Sequence, residues 1–160
     1  MNNGPDHDRV DGGELFVVAT PIGNLEDISR RAIRILNEAD VIAAEDTRVT
    51  AHLLTRHAIA QRPIALHAHN ERARSEHILQ LLAEGKKVAL VSDAGTPGIS
   101  DPGAILVGAA RAAGFRVTPI PGPSALAAAL SASGFAADRV LVRGFLPARA
   151  SARQIGRAHV

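Results

Sequence analysis

The sequence predicts an α/β fold: a mostly parallel five-stranded sheet flanked by helices. Three observations carry this. Short apolar runs of strand length recur at residues 15–19, 41–44, 63–66, 87–92 and 116–120. Between them lie stretches with apolar residues at helical spacing, so strands and helices alternate as in βα units. Each run also ends in a polar or Gly/Pro-rich loop. In a parallel sheet those loops share one edge, where a single cleft can gather them all.

The elements follow in order. Residues 1–13 are polar and rich in Asp and Gly, and a disordered tail is expected there. The run 15–19 ends in Thr20-Pro21-Ile22-Gly23-Asn24-Leu25. Asp27 or Ser29 is placed to cap a helix with Ile28, Ala32, Ile35, Leu36 and Ala39 on one face and Arg30, Arg31 and Arg34 on the other. The second strand, 41–44, runs into Glu45-Asp46-Thr47-Arg48, and a helix through Leu53 and Leu54 leads to the third strand, 63–66. His67-Ala68-His69-Asn70-Glu71 comes next, with Asn70 as expected cap of a helix over 71–84 and Gly85 as its C′ residue.

The fourth strand, 87–92, opens the loop around which the chain is organised. Residues 90–103 read Leu-Val-Ser-Asp-Ala-Gly-Thr-Pro-Gly-Ile-Ser-Asp-Pro-Gly. Asp101 and Pro102 are expected as N-cap and first residue of a helix through Leu106 and Ala110. A small-residue loop between a parallel strand's C-terminal end and a helix is where open α/β sheets bind ligands. Glycines there let a ligand lie against the main chain; the alternative is a long structural connection. The fifth strand, 116–120, ends in Pro121-Gly122-Pro123-Ser124, an Ala-rich helix reaches Ser133, and residues 139–143 begin a sixth strand.

Composition narrows the function. With 160 residues the chain has room for one domain with a core and part of a second. Its 46% hydrophobic and 21% charged content is that of a globular protein. Four Phe with no Tyr or Trp argue against an aromatic platform for stacked bases. Without Cys there is neither a disulfide nor a thiolate metal site, which fits the cytoplasm. Neither an eighteen-residue apolar run nor an apolar signal core is visible, so no membrane partner is expected. The pI of 9.9 overstates a net charge of +2. Apart from Lys86 and Lys87 the cations are arginines, which stay protonated, and no Tyr or Cys opposes them at high pH.

A dinucleotide fingerprint is excluded, because residues 20–27 hold a single glycine where G-x-G-x-x-G is needed. A Walker-type loop is absent as well. Five motifs nevertheless stand in register: 19–25, Glu45-Asp46-Thr47-Arg48, His69-Asn70-Glu71, 92–103 and Pro121-Gly122-Pro123-Ser124-Ala125. In that order, over about residues 15–147, the chain resembles the small-subunit ribosomal RNA methyltransferase branch of the tetrapyrrole (corrin/porphyrin) methylase superfamily.

The resemblance implies S-adenosylmethionine-dependent 2′-O-methylation of a cytidine in small-subunit (16S) ribosomal RNA. It also implies two α/β domains with the cofactor between them, and a homodimer. Carried over, Asp93, Ala94, Gly95, Thr96, Pro97, Ser100 and Asp101, with Pro21, match the cofactor-binding segments. Pro121, Gly122, Ser124 and Ala125 match the cofactor-lining link to the second domain. Arg48, Asn70, Arg30 and Arg31 are the expected RNA contacts, although the arginines of the first helix also read as a solvated face.

Methyl transfer is an in-line displacement, so alignment is its main demand. A carboxylate such as Glu45 or Asp46 would serve as catalytic base for a ribose hydroxyl; alternatively the pair caps the next helix and binds Arg48. His67 and His69 alternate as strand-end residues do, and no metal is expected. The domain organisation expected is a tail over 1–13, a cofactor-binding domain over 14–122, a connecting helix over 123–134 and the start of a truncated second domain over 135–160. Residues 154–160 have no counterpart in the family pattern, and 155–160 read as translated adapter DNA. Two alternatives stay open: a tetrapyrrole methyltransferase, and an inactive fragment that only binds ligand or partner.

Overall fold

Five parallel strands form one sheet in a computed structural model that describes residues 12–67, 71–99, 101–136, 138–142 and 144. They are β1 (Glu14–Val18), β2 (Val41–Ala44), β3 (Ile64–Ala65), β4 (Lys87–Val91) and β5 (Arg116–Ile120), in the spatial order β3-β2-β4-β1-β5. At the centre Phe16 stands opposite both Ala89 of β4 and Thr118 of β5. The near-continuous apolar character of β1 and β4 follows from this place, since both faces of a central parallel strand are covered.

Alternation along the strands divides the core in two. Phe16, Val18, Ile42, Ala44, Ala89 and Val91 meet α1 (Arg30–Glu38) and α2 (Thr47–Arg56). Leu15, Val17, Ala43, Val88 and Leu90 meet α3 (Glu71–Ala83) and α4 (Ala104–Ala112) on the other face. The chain therefore leaves β1 over one face and leaves the adjacent β4 over the other. Where neighbouring strands diverge in this way, a crevice opens beyond their C-terminal ends.

Local chemistry starts the helices. Ser29 Oγ accepts from the Ala32 amide at 3.0 Å, so Ser29 rather than Asp27 caps α1. Asp46 caps α2 through Arg48 N–H at 2.8 Å, and Ser124 caps α5 (Ala125–Ala132). Gly85 follows α3 with φ +82°, the left-handed conformation expected of it.

Three expectations need correction. The fourth helix starts at Ala104 with Gly103 as its N-cap, not at Asp101 and Pro102, and Gly103 offers no side chain to its open amides. The acceptor comes instead from Glu71 on α3. Residues 139–142 form no strand, because no neighbouring strand among the described residues offers them a hydrogen-bond ladder. At the sheet edge β3 is confined to Ile64–Ala65 rather than 63–66.

Candidate functional site

The crevice between β1 and β4 is stitched by Thr20. This residue is 2% exposed, and its backbone pairs with Gly95 in both directions, at 2.9 and 3.0 Å. Its hydroxyl donates to the Ser92 carbonyl at 3.0 Å. Gly95 has φ +84°, which only glycine adopts without strain, and a Cβ there would lie 3.5 Å from Ile22 Cγ2. The glycine thus keeps the loop after β4 free of a side chain where it faces the loop after β1.

The other strand ends join the same edge. The Asp46 amide donates to Asp93 Oδ1 at 2.9 Å, tying the end of β2 to the end of β4. Thr96 Oγ1 donates to the Pro123 carbonyl at 3.4 Å, tying β4's loop to the β5–α5 link. Gly122 lets that link approach β1, since a Cβ on it would meet the Ala19 Cβ at 3.0 Å.

Two cavities flank the Thr20–Gly95 bridge. The larger, about 320 Å³, involves Ile22, Ala94, Gly95, Thr96, Asp101, Ser124 and Ala125, with Ile99, Leu126 and Val142 as further apolar wall. The smaller, about 70 Å³, is bounded by Thr20, Pro21, Ser92 and Asp93 and, from α2, by Thr50 and His52.

The carboxylates of Glu45 and Asp46 differ in kind. Burial raises the Glu45 pKa above its ordinary value, and the Asp93 carboxylate adds to the rise. The Asp93 backbone amide opposes it, while Asp101 and Asp46 push the same way as burial. Asp46 is paired with Arg48, with Nη2 to Oδ2 at 2.6 Å and Nε to Oδ1 at 3.1 Å. That side-chain pairing holds its carboxyl at about 2. The helix-capping and Arg48-pairing alternative is thus the geometry seen for Asp46.

Of the residues singled out in the sequence, Ala94, Gly95, Thr96, Asp101, Ser124 and Ala125 line the larger cavity. Pro21 and Asp93 line the smaller one. Pro97 is buried, whereas Pro121 and Gly122 are exposed on the β5–α5 link. Ser100, His69 and Asn70 lie outside the described residues. Arg30 and Arg31 are exposed at the start of α1, hence at the same edge as the crevice, while Arg34 is turned to Glu38 at 3.3 Å.

Thr20 and Glu71 belong to the quoted motifs, yet their roles as bridge and helix cap emerge only from the tertiary contacts. Ile22, Ile99 and Leu126 carry no polar signal that could have marked them as lining residues. Among the described residues, no group of three or more His, Cys, Asp or Glu is placed to hold a metal, and no helix is long and apolar enough to cross a membrane.

Comparison with known proteins bears on what this edge binds. Residues 14–157 match the family model of the Tetrapyrrole (Corrin/Porphyrin) Methylases. A Ribosomal RNA small subunit methyltransferase I from Xylella fastidiosa is 57% identical over 148 residues, covering 92% of this chain and 54% of that protein. The protein of the same name from Escherichia coli O157:H7 is 54% identical over 142 residues, covering 89% and 50%. The chain thus spans about half the length of the curated relatives it matches. Among solved structures, the uroporphyrin-III-C-methyltransferase of Thermus thermophilus superimposes with a TM-score of 0.61 at 25% identity, covering 76% of this chain and 53% of that one. A conserved hypothetical protein from Aeropyrum pernix gives 0.64 at 24% identity, covering 76% and 43%, a likeness of fold.

Proposed function

The chain belongs to the tetrapyrrole (corrin/porphyrin) methylase family, and from that premise we propose that its β1–β4 crevice binds S-adenosylmethionine for 2′-O-methylation of a cytidine in small-subunit ribosomal RNA. The observation that carries the reading is the Thr20–Gly95 bridge, with a positive-φ glycine lining an apolar cleft where the chain leaves β1 and β4 over opposite faces. The cleft fits such a cofactor: about 320 Å³ lies at the lower end of the range for small-molecule sites. Ile22, Ile99 and Leu126 offer apolar surface, while Thr96, Asp101 and Ser124 offer polar groups. When bound, the cofactor supplies an electrophilic methyl group on a sulfonium sulfur.

This chain's residues then have separate tasks. Loop 93–97, with Pro21, Asp101, Ser124 and Ala125, binds the cofactor and keeps water from its apolar parts. Glu45 is the catalytic base of this reading, taking the ribose hydroxyl proton onto its carboxylate as the oxygen attacks. Its raised pKa makes it the stronger base of the two once ionised. Asp46 instead orients Arg48, and Arg48, Arg30 and Arg31 provide positive charge for RNA phosphates at the sheet edge. The partners on this reading are the small-subunit RNA or assembled subunit, with a second copy of the chain completing a homodimer.

The test is methyl transfer from labelled S-adenosylmethionine by the chain extended to its relatives' length. Label is expected on a ribose 2′-oxygen of the small ribosomal subunit and absent from a uroporphyrinogen-type acceptor. Transfer to the tetrapyrrole, with none to RNA, would replace this reading by the one the Thermus thermophilus likeness favours.

A further inference from the structure

The loop from Ser92 to Gly103 is held at both ends, and its far anchor comes from an element the cofactor reading does not use. At the strand end, Thr20 pairs with Gly95 and Ser92. At the helix end, Glu71 Oε1 accepts from the Gly103 amide at 2.8 Å and from the Ile105 amide at 3.0 Å. Glu71 is the first residue of α3 and is 7% exposed. The first amides of a helix need acceptors from outside it, and α4 has none of its own, because its N-cap is Gly103. That glycine is fixed for two reasons: its φ is +127°, and a Cβ would meet Leu90 Cδ2 at 2.8 Å. The chain can therefore turn closely over Leu90 and present its amide to Glu71. Between the anchors lie Ala94, Gly95, Thr96, Ile99 and Asp101, which line the larger cavity.

We propose that Glu71 is a positioning residue for the cofactor loop: its buried carboxylate sets the backbone at Gly103 and Ile105, and through it the conformation of residues 93–99 and 101–103. It touches neither cofactor nor acceptor and acts through the loop. A charged acceptor at a helix N-terminus also suits the helix dipole. The part of the inference that concerns cofactor affinity rests on the function proposed above; the part that concerns loop conformation does not.

The experiment compares Glu71→Ala, Glu71→Asp and Glu71→Gln in the chain extended to its relatives' length. Two quantities are read: amide hydrogen exchange at Gly103 and Ile105, and affinity for S-adenosylhomocysteine by calorimetry. E71A removes the acceptor and E71D withdraws it by one methylene. Both are expected to speed exchange at the two amides and to weaken binding about tenfold. E71Q keeps a carbonyl oxygen at the same reach and is expected to restore slow exchange and to bind within about threefold of wild type. Unchanged exchange in E71A and E71D overturns the inference, and so does E71Q behaving like E71A. If E71A does not fold, the E71D and E71Q pair decides by the same criteria. A wild-type chain that binds no S-adenosylhomocysteine refutes the cofactor reading, and the exchange result still decides the role of Glu71.

Discussion

Adjacent carboxylates at positions 45 and 46 show how strongly a residue's partners decide its chemistry. Asp46 is paired with Arg48 and held at about 2, so its ionised form favours the folded state. That contribution is complete above 3.8, the ordinary value, and is lost as pH falls toward about 2. The thermal midpoints of wild type and Asp46→Asn should therefore converge on acidification through that window. A constant difference would mean that the pairing adds no pH-dependent stability. Glu45 behaves in the opposite sense, because burial and neighbouring acids raise its pKa above 4.5. Its proton binding favours the fold at low pH, and that contribution is lost as pH rises through the raised pKa. Glu45→Gln should accordingly be at least as stable as wild type at neutral pH while losing methyl transfer, an exchange of stability for function. A Glu45→Gln chain that keeps full activity would remove Glu45 as the base. How differently the two carboxylates titrate was not legible in Glu45-Asp46-Thr47-Arg48, because the Asp93 that acts on Glu45 comes from the loop after β4.

At the scale of elements, legibility follows sequence separation. The caps at Ser29 and Ser124 and the stop at Gly85 use bonds within a few residues, and the sequence carries their signal. The cap of α4 comes from Glu71, thirty-two residues before Gly103, and the local sequence pointed to Asp101 instead. Residues 139–143 alternate like a strand, yet a strand also needs a partner, and 139–142 have none among the described residues. The helices divide along the same line. In α1, Leu36 is fully buried, so Leu36→Ala should cost about 2–5 kcal/mol. In α5 no residue is buried and Leu130 is 38% exposed, so Leu130→Ala should shift stability by only about 0.5 kcal/mol. Denaturant unfolding at constant m checks both; equal losses would show that α5 packs into the same core.

For the whole molecule, the alternation of apolar runs and helices announced the parallel α/β sheet, but not the order β3-β2-β4-β1-β5. That order places β1 beside β4 and so turns two loops seventy-five residues apart, at Thr20 and Gly95, into one bridge. The central claim is that S-adenosylmethionine occupies the cleft beside this bridge. Isothermal titration of S-adenosylmethionine into the chain extended to its relatives' length, as wild type and as Gly95→Val, tests it most directly. The account predicts one site per chain, and at least about tenfold weaker binding in G95V, some 1.4 kcal/mol, with the fold retained by circular dichroism. Equal affinity in a folded G95V, or no binding by a folded wild type, would contradict it.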